Sequence, residues 1–155
     1  MQIETVQPKG QIEISIQYKN GTTNNLLVKN TVLQLGREAL AASLAHDFGT
    51  SYEYYIDTML FGTGGVDGDA PKYIDATRIA LYSQELEKPI SALISPLRPH
   101  EAVFSSVLTF DDPAIAISEM GLRMANGNLY SMATFPVINK TTDMQITWNW
   151  RQSFI

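Results

Sequence analysis

The 155-residue chain carries 11 Lys and Arg against 16 Asp and Glu, a net charge of −5, and no cysteine, which excludes disulfides, thiolate metal sites and cysteine nucleophiles. That length suits one domain, 1–155, able to bury a core without a covalent staple, and its acidic balance argues against a nucleic-acid partner, which needs a basic stripe. No apolar run reaches the ~18–20 residues of a membrane span, and Met1-Gln2-Ile3-Glu4 has neither the basic nor the apolar stretch of a leader, so a soluble protein of a reduced compartment is expected.

Ile12, Ile14, Ile16 and Tyr18 alternate with Glu13, Ser15 and Gln17, which predicts a half-buried strand, with residues 1–9 before it read as an extended arm. Asn20-Gly21 supplies a turn, 22–25 read as loop, and Leu26-Leu27-Val28 as a short strand. One helix is expected over about 31–45, with Asn30 or Thr31 as N-cap and Val32, Leu35, Ala39 and Ala42 on its apolar stripe, widened by Leu33, Leu40 and Leu44. Gly36 weakens that helix by about 1 kcal/mol relative to Ala, which points to close packing on another element.

Residues 52–61 read as a buried strand ending in Met59-Leu60-Phe61, and 62–71, with glycines at 62, 64, 65 and 68 before Pro71, as an extended exposed loop. Residues 79–82 form a short strand in this reading, and Pro89, Pro96 and Pro99 confine the next stretch to edge strands and turns. Strands follow at 103–110, 115–124 and 129–135, the last two joined by Asn126-Gly127, a strong type I′ hairpin signal. Met144, Ile146, Trp148, Trp150 and Phe154 line one face of a long final strand, interrupted only by Gln152. About eight strands and one helix make an antiparallel β-sandwich with the helix packed against it. Trp148, Trp150, Phe154, Leu122 and Phe135 are its expected core.

No catalytic constellation stands out. Gly62-x-Gly64 meets Asp67 where a dinucleotide fingerprint needs a glycine, and no Gly-Lys-Ser/Thr follows. Asp67 and Asp69 are the right ligand type for Ca²⁺, but the EF-hand glutamate position is Arg78. His46 and His100 lack metal-site spacing, His46 reading instead as a cation near a helix C-terminus, and Asp111-Asp112 beside Pro113 suits a turn. No catalytic, cofactor or metal site is therefore assigned. Glu119 is different, because a carboxylate in the middle of Ile117-Ser118-Glu119-Met120-Gly121-Leu122 must find partners if it faces inward. It is expected to anchor loop amides or to pair with Arg123 or Lys140 as a structural clasp.

The segment containing "ISEMGL", "NGNLYSMATFP", "NKT" and "ITWNWRQSFI" resembles the β-sandwich domain of phage tail-collar and tail-fibre attachment proteins. The residues that carry the likeness are Glu119, Gly121, Leu122, Gly127, Leu129, Phe135, Pro136, Ile138, Lys140, Trp148 and Trp150. Upstream, "LVKNTVLQLGREALAASLA" and "MLFGTGGVDGDAPKYIDATRIAL" are similar to the helix and Gly-x-Gly loop of such domains, extending the resemblance over about 26–155. It implies a non-enzymatic virion component from a tailed phage, located in the collar, neck, tail or baseplate and assembled in several copies in the host cytoplasm. Because the chain stops at Ile155, directly after the last strand, it is not expected to form a long fibre with a receptor-binding tip.

Assembly also suits a charged fraction of 17%, below the ~25% usual for globular chains, since interface cores are depleted in Lys and Glu. Contacts with copies of itself and with other virion proteins are expected through Tyr52, Tyr54, Tyr55, Gly64, Gly65, Asp67, Asp69 and an N-terminal arm adding a strand to a neighbour. A capsid decoration protein is one alternative. A carbohydrate- or receptor-binding module, stacking sugars on Tyr52, Tyr54, Tyr55 and Tyr73, is the other.

Overall fold

The computed structural model describes residues 9–45, 53–94 and 97–154. The elements run β1 (Lys9–Tyr18), β2 (Thr23–Lys29), β3 (Thr31–Val32), α1 (Gln34–Leu44), β4 (Ile56–Gly62), β5 (Val66–Asp67), β6 (Ala70–Pro71), β7 (Gln84–Pro89), β8 (Ser91–Ile94), β9 (Glu101–Leu108), β10 (Ile115–Met124), β11 (Leu129–Lys140) and β12 (Met144–Ser153). Two five-stranded antiparallel sheets form, in the orders β2-β1-β12-β9-β8 and β3-β11-β10-β4-β7, with β5 and β6 as a separate small hairpin. The expected sandwich with one helix is present.

Period-two patterning explains the first sheet. Ile12, Ile14 and Ile16 sit opposite Trp150, Trp148 and Ile146 in the β1–β12 register, and all six are buried. They face Met59, Phe61, Met120, Leu122, Ala133 and Phe135 of the second sheet. Trp148 lies at the centre, its ring 5.0 Å from that of Phe61 and 6.1 Å from that of Phe135. The indole Nε1 atoms of Trp148 and Trp150 have no hydrogen-bond partner among the described residues, and the rings are held by packing. Gln152 keeps the inward alternation and is 1% exposed, whereas Phe154 lies beyond the end of β12 and is 40% exposed, which removes it from the expected core.

A third layer covers the outer face of the second sheet. Leu33, Leu60, Leu129 and Met132 point away from the main core and are sealed by Ile74 and Leu81 from the connection between β6 and β7. Residues 79–82 are therefore not a strand: Leu81 packs as a plug and Tyr82 turns its backbone toward β10. The 22–25 stretch is likewise not all loop, because β2 starts at Thr23 and pairs with β1. The proline-punctuated region does form edges, with β7 and β8 each ending a sheet. The strands missed by sequence reasoning, β3, β5 and β6, are two residues long and carry no apolar periodicity.

The helix starts later than expected. Thr31 and Val32 pair with Met132 and Ser131, and Leu33 becomes the N-cap without a side-chain cap. Tertiary acceptors replace the cap: Leu33 N–H donates to the Tyr130 carbonyl (2.9 Å) and Gln34 N–H to the Ala76 carbonyl (2.7 Å). Ala39 is buried as expected, but Leu44 is 91% exposed and does not join the stripe. Gly36 does mark a close approach, since a Cβ there would lie 2.4 Å from the Tyr130 carbonyl oxygen. Of the expected arm at 1–9, Lys9 already belongs to β1, and residues 1–8, like His46, Tyr52 and Ile155, lie outside the described residues.

Gly36→Ala sets helix propensity against packing. Propensity alone favours Ala by about 1 kcal/mol, while overpacking against β11 costs about 1–3 kcal/mol. A lower urea midpoint is expected; a higher one would show that α1 does not press on Tyr130.

Candidate functional site

Glu119 is fully buried, in the middle of β10, yet points away from the main core. A bulge aims it. Between the pairs Ile117↔Ile138 and Glu119↔Thr134 the ladder skips, where Pro136 of β11 has no N–H to contribute. The carboxylate meets the β4–β7 connection and accepts three backbone hydrogen bonds: Gly64 N–H at 3.1 Å and Ser83 N–H at 2.6 Å on Oε1, and Tyr82 N–H at 2.8 Å on Oε2. Ser118 Oγ accepts a fourth loop N–H, that of Gly65, at 2.9 Å. Three fixed dipoles converging on one carboxylate compensate its removal from water.

The glycine loop is thus not the exposed loop expected. Gly62 and Gly65 are buried and Gly64 is half-buried. A Cβ on Gly65 would stand 2.0 Å from the Ser118 carbonyl oxygen, and one on Gly62 2.5 Å from Glu119 Oε1. Close approach, not phosphate binding, explains these glycines. Gly64 and Gly65 are consequently withdrawn as surface contacts, while Asp67 and Asp69 at the hairpin tip are exposed. Among the described residues no group of three or more His, Asp or Glu could hold a metal ion.

The expected partners of Glu119 act elsewhere. Arg123 pairs with Glu87 at 2.9 Å across the sheet. Lys140, 1% exposed, donates from Nζ to the carbonyl oxygens of Asp112 (2.9 Å) and Thr141 (3.0 Å). Burial pushes its pKa down, against the attraction of Asp112 and Asp111. Lys140 therefore ties the turn before β10 to the end of β11, a second fastening independent of Glu119. Burial opposes ionisation of the neighbouring Asp112, but hydrogen bonds from Lys88 and Thr109 hold its carboxyl below the usual range. At the other end of the sandwich, Glu101 is lowered chiefly by its hydrogen bond from Arg151.

The aromatic candidates do not converge. Tyr54, half-buried, and Tyr55, 62% exposed, border an apolar groove of about 320 Å³ with Leu40, Ile56, Phe104 and Phe154. Tyr73, 87% exposed, is not part of that groove; its carbonyl accepts the Tyr82 hydroxyl hydrogen bond at 3.0 Å. Sequence reasoning missed the amides of Tyr82 and Ser83 and the cations Lys9, Lys29, Arg98 and Arg151, which share one rim of the first sheet. The former carry no side-chain signal, and the latter are scattered along the chain. Compared with family models, curated proteins and solved structures, the chain matches none of them.

Glu119→Ala leaves three loop amides without their acceptor and should lower stability by about 3 kcal/mol or more. Hydrogen exchange should show protection lost first at Gly64, Tyr82 and Ser83. Retained protection there would sink the clasp. The lowered pKa values of Glu101 and Asp112 set the sign of an acid effect. Their stabilisation is complete above the unfolded carboxylate range and is lost as pH falls below ordinary values of 4.5 and 3.8 through the lower folded ones. Denaturant titrations at pH 5 and below should show falling stability, with Glu101→Gln giving a flatter acid limb.

Proposed function

We propose that the chain is a non-enzymatic structural component of a tailed-phage virion, placed in the collar, neck, tail or baseplate region and repeated in several copies. The observation that carries this reading is the use made of its buried charges. Glu119 and Lys140, fully or almost fully buried, each fasten a loop of the same chain. Both residues belong to the motif that resembles tail-collar and tail-fibre attachment domains.

Unpaired edges support repetition. Leu27 of β2 is 61% exposed, and Leu93 and Ile94 of β8 are 64% and 59% exposed, at opposite ends of one sheet. Exposed apolar edge strands are sites where another chain adds on. A sugar-binding module fits less well, because the groove beside Tyr54 and Tyr55 offers mostly carbon where sugar hydroxyls need donors and acceptors.

Quantitative mass spectrometry of particles made by the genome that encodes this chain should find it in multiple stoichiometric copies. An early stop codon in the gene should remove a discrete feature from electron micrographs. Particles that lack the chain altogether would overturn the reading.

A further inference from the structure

The β5–β6 hairpin stands on the outer face of the second sheet. Its turn, Gly68-Asp69, is two residues long, with Gly68 at φ 62°. Asp67 and Asp69 are exposed, and neither side chain makes an ion pair or hydrogen bond among the described residues. The base of the hairpin is stiff. Lys72 N–H donates to the Gly65 carbonyl at 2.8 Å, and Thr134 Oγ1 to the Lys72 carbonyl at 2.6 Å. Below these lie the Glu119 and Ser118 bonds to Gly64 and Gly65. Two unpaired carboxylates are thus presented on a tip already held in place.

The opposite face carries the complementary charge. Arg151 alternates with the buried Trp150 and Gln152 on β12, so it projects from the outer face of the first sheet. Around it, Lys9, Lys29 and Arg98 join the rim of a pocket of about 540 Å³ whose acidic lining residue is Glu101. Four of the chain's 11 Lys and Arg therefore meet in one concavity of a protein whose net charge is −5. Glu101 engages Arg151 and lies 3.8 Å from Arg98, and Glu13 lies 3.7 Å from Arg151. Lys9 and Lys29 are exposed and have no counter-charge among the described residues. Asn30, on the same rim, has a buried Oδ1 without a partner among the described residues.

We propose that this pocket receives the Asp67–Asp69 turn of a second copy of the chain. This contact rests on the multi-copy reading above and gives it a place on the molecule. Tip and pocket occupy opposite faces of the sandwich, so a chain cannot fill its own pocket. Each copy is a donor on one face and an acceptor on the other, the head-to-tail arrangement that closes into a ring or continues as a stack. Opposed carboxylates and ammonium groups at a solvated rim steer and orient such contacts, and salt weakens them.

Sedimentation velocity on the full chain tests the contact. At about 50 mM NaCl the wild type should form species larger than a monomer, and at about 500 mM its association should weaken by roughly tenfold or more. Asp67→Asn with Asp69→Asn, and separately Lys9→Gln with Lys29→Gln, should each be monomeric with unchanged urea midpoints, because these side chains have no partners among the described residues. An equimolar mixture of the two variants retains one sound tip and one sound pocket, so it should yield dimers and nothing larger. A wild type that stays monomeric at low salt, or variants that associate as the wild type does, would overturn the contact. That failure is separable from failure of the virion reading, since the copy number in particles is measured independently.

Discussion

A carboxylate sealed from water has to be surrounded by donors, and the way Glu119 is surrounded organises half of this molecule. Its two oxygens collect the amide of Gly64 and those of the neighbouring Tyr82 and Ser83, two stretches far apart in sequence and brought together only because β10 runs beneath both. The loop between β4 and β7 is thereby pulled flat over the outer face of the second sheet. That lets Leu81 and Ile74 seal Leu60, Leu129 and Met132, making a second small core. Remove the carboxylate and the polar and apolar parts of this layer lose their common anchor.

Lys140 applies the same logic with the opposite charge. Its ammonium group is buried among backbone carbonyls, not against Glu119, and it locks the turn before β10 to the end of β11. Anion with amides and cation with carbonyls each satisfy a buried charge with main-chain dipoles. The β10–β11 hairpin is consequently the frame of the protein, with a loop fastened at each of two places. Because the fastenings are internal, the surface is left with what they hold out: an acidic hairpin tip on one face, a basic rim on the other, and open strand edges at the sides. A rigid block of that kind is suited to repetition.

Much of the sandwich was legible because inward and outward residues alternate without error along β1 and β12, whereas β10 breaks step at the bulge between Ile117 and Glu119. Asn126-Gly127 announced the hairpin but not its turn: Gly127 N–H donates to the Met124 carbonyl (2.9 Å), so Ala125 and Asn126 are the central residues and Gly127, at φ 94°, follows them, in place of the expected type I′ turn. Period two also placed Gln152 on the buried face, where its polarity made it look like an interruption. The helix start was misread because Asn30 and Thr31 are good caps by type, while the real N-terminus is satisfied by carbonyls of Tyr130 and Ala76 that no local pattern reveals. Glycines 62, 64 and 65 looked like an exposed loop because composition does not distinguish freedom from close approach.

What the sequence determined by itself is the class of the fold and its core, since bulky residues at every second position can be buried only by stacking two sheets. Trp148, Trp150, Leu122 and Phe135 needed no tertiary information to be placed inside. Only the folded chain decided the partners of Glu119, Arg123 and Lys140. A buried charge takes whichever dipoles the topology brings within reach, and main-chain dipoles are identical in every residue and so invisible in a string of side chains. The gathering of Lys9, Lys29, Arg98 and Arg151 on one rim was decided the same way, by strands from both ends of the chain meeting in a single sheet.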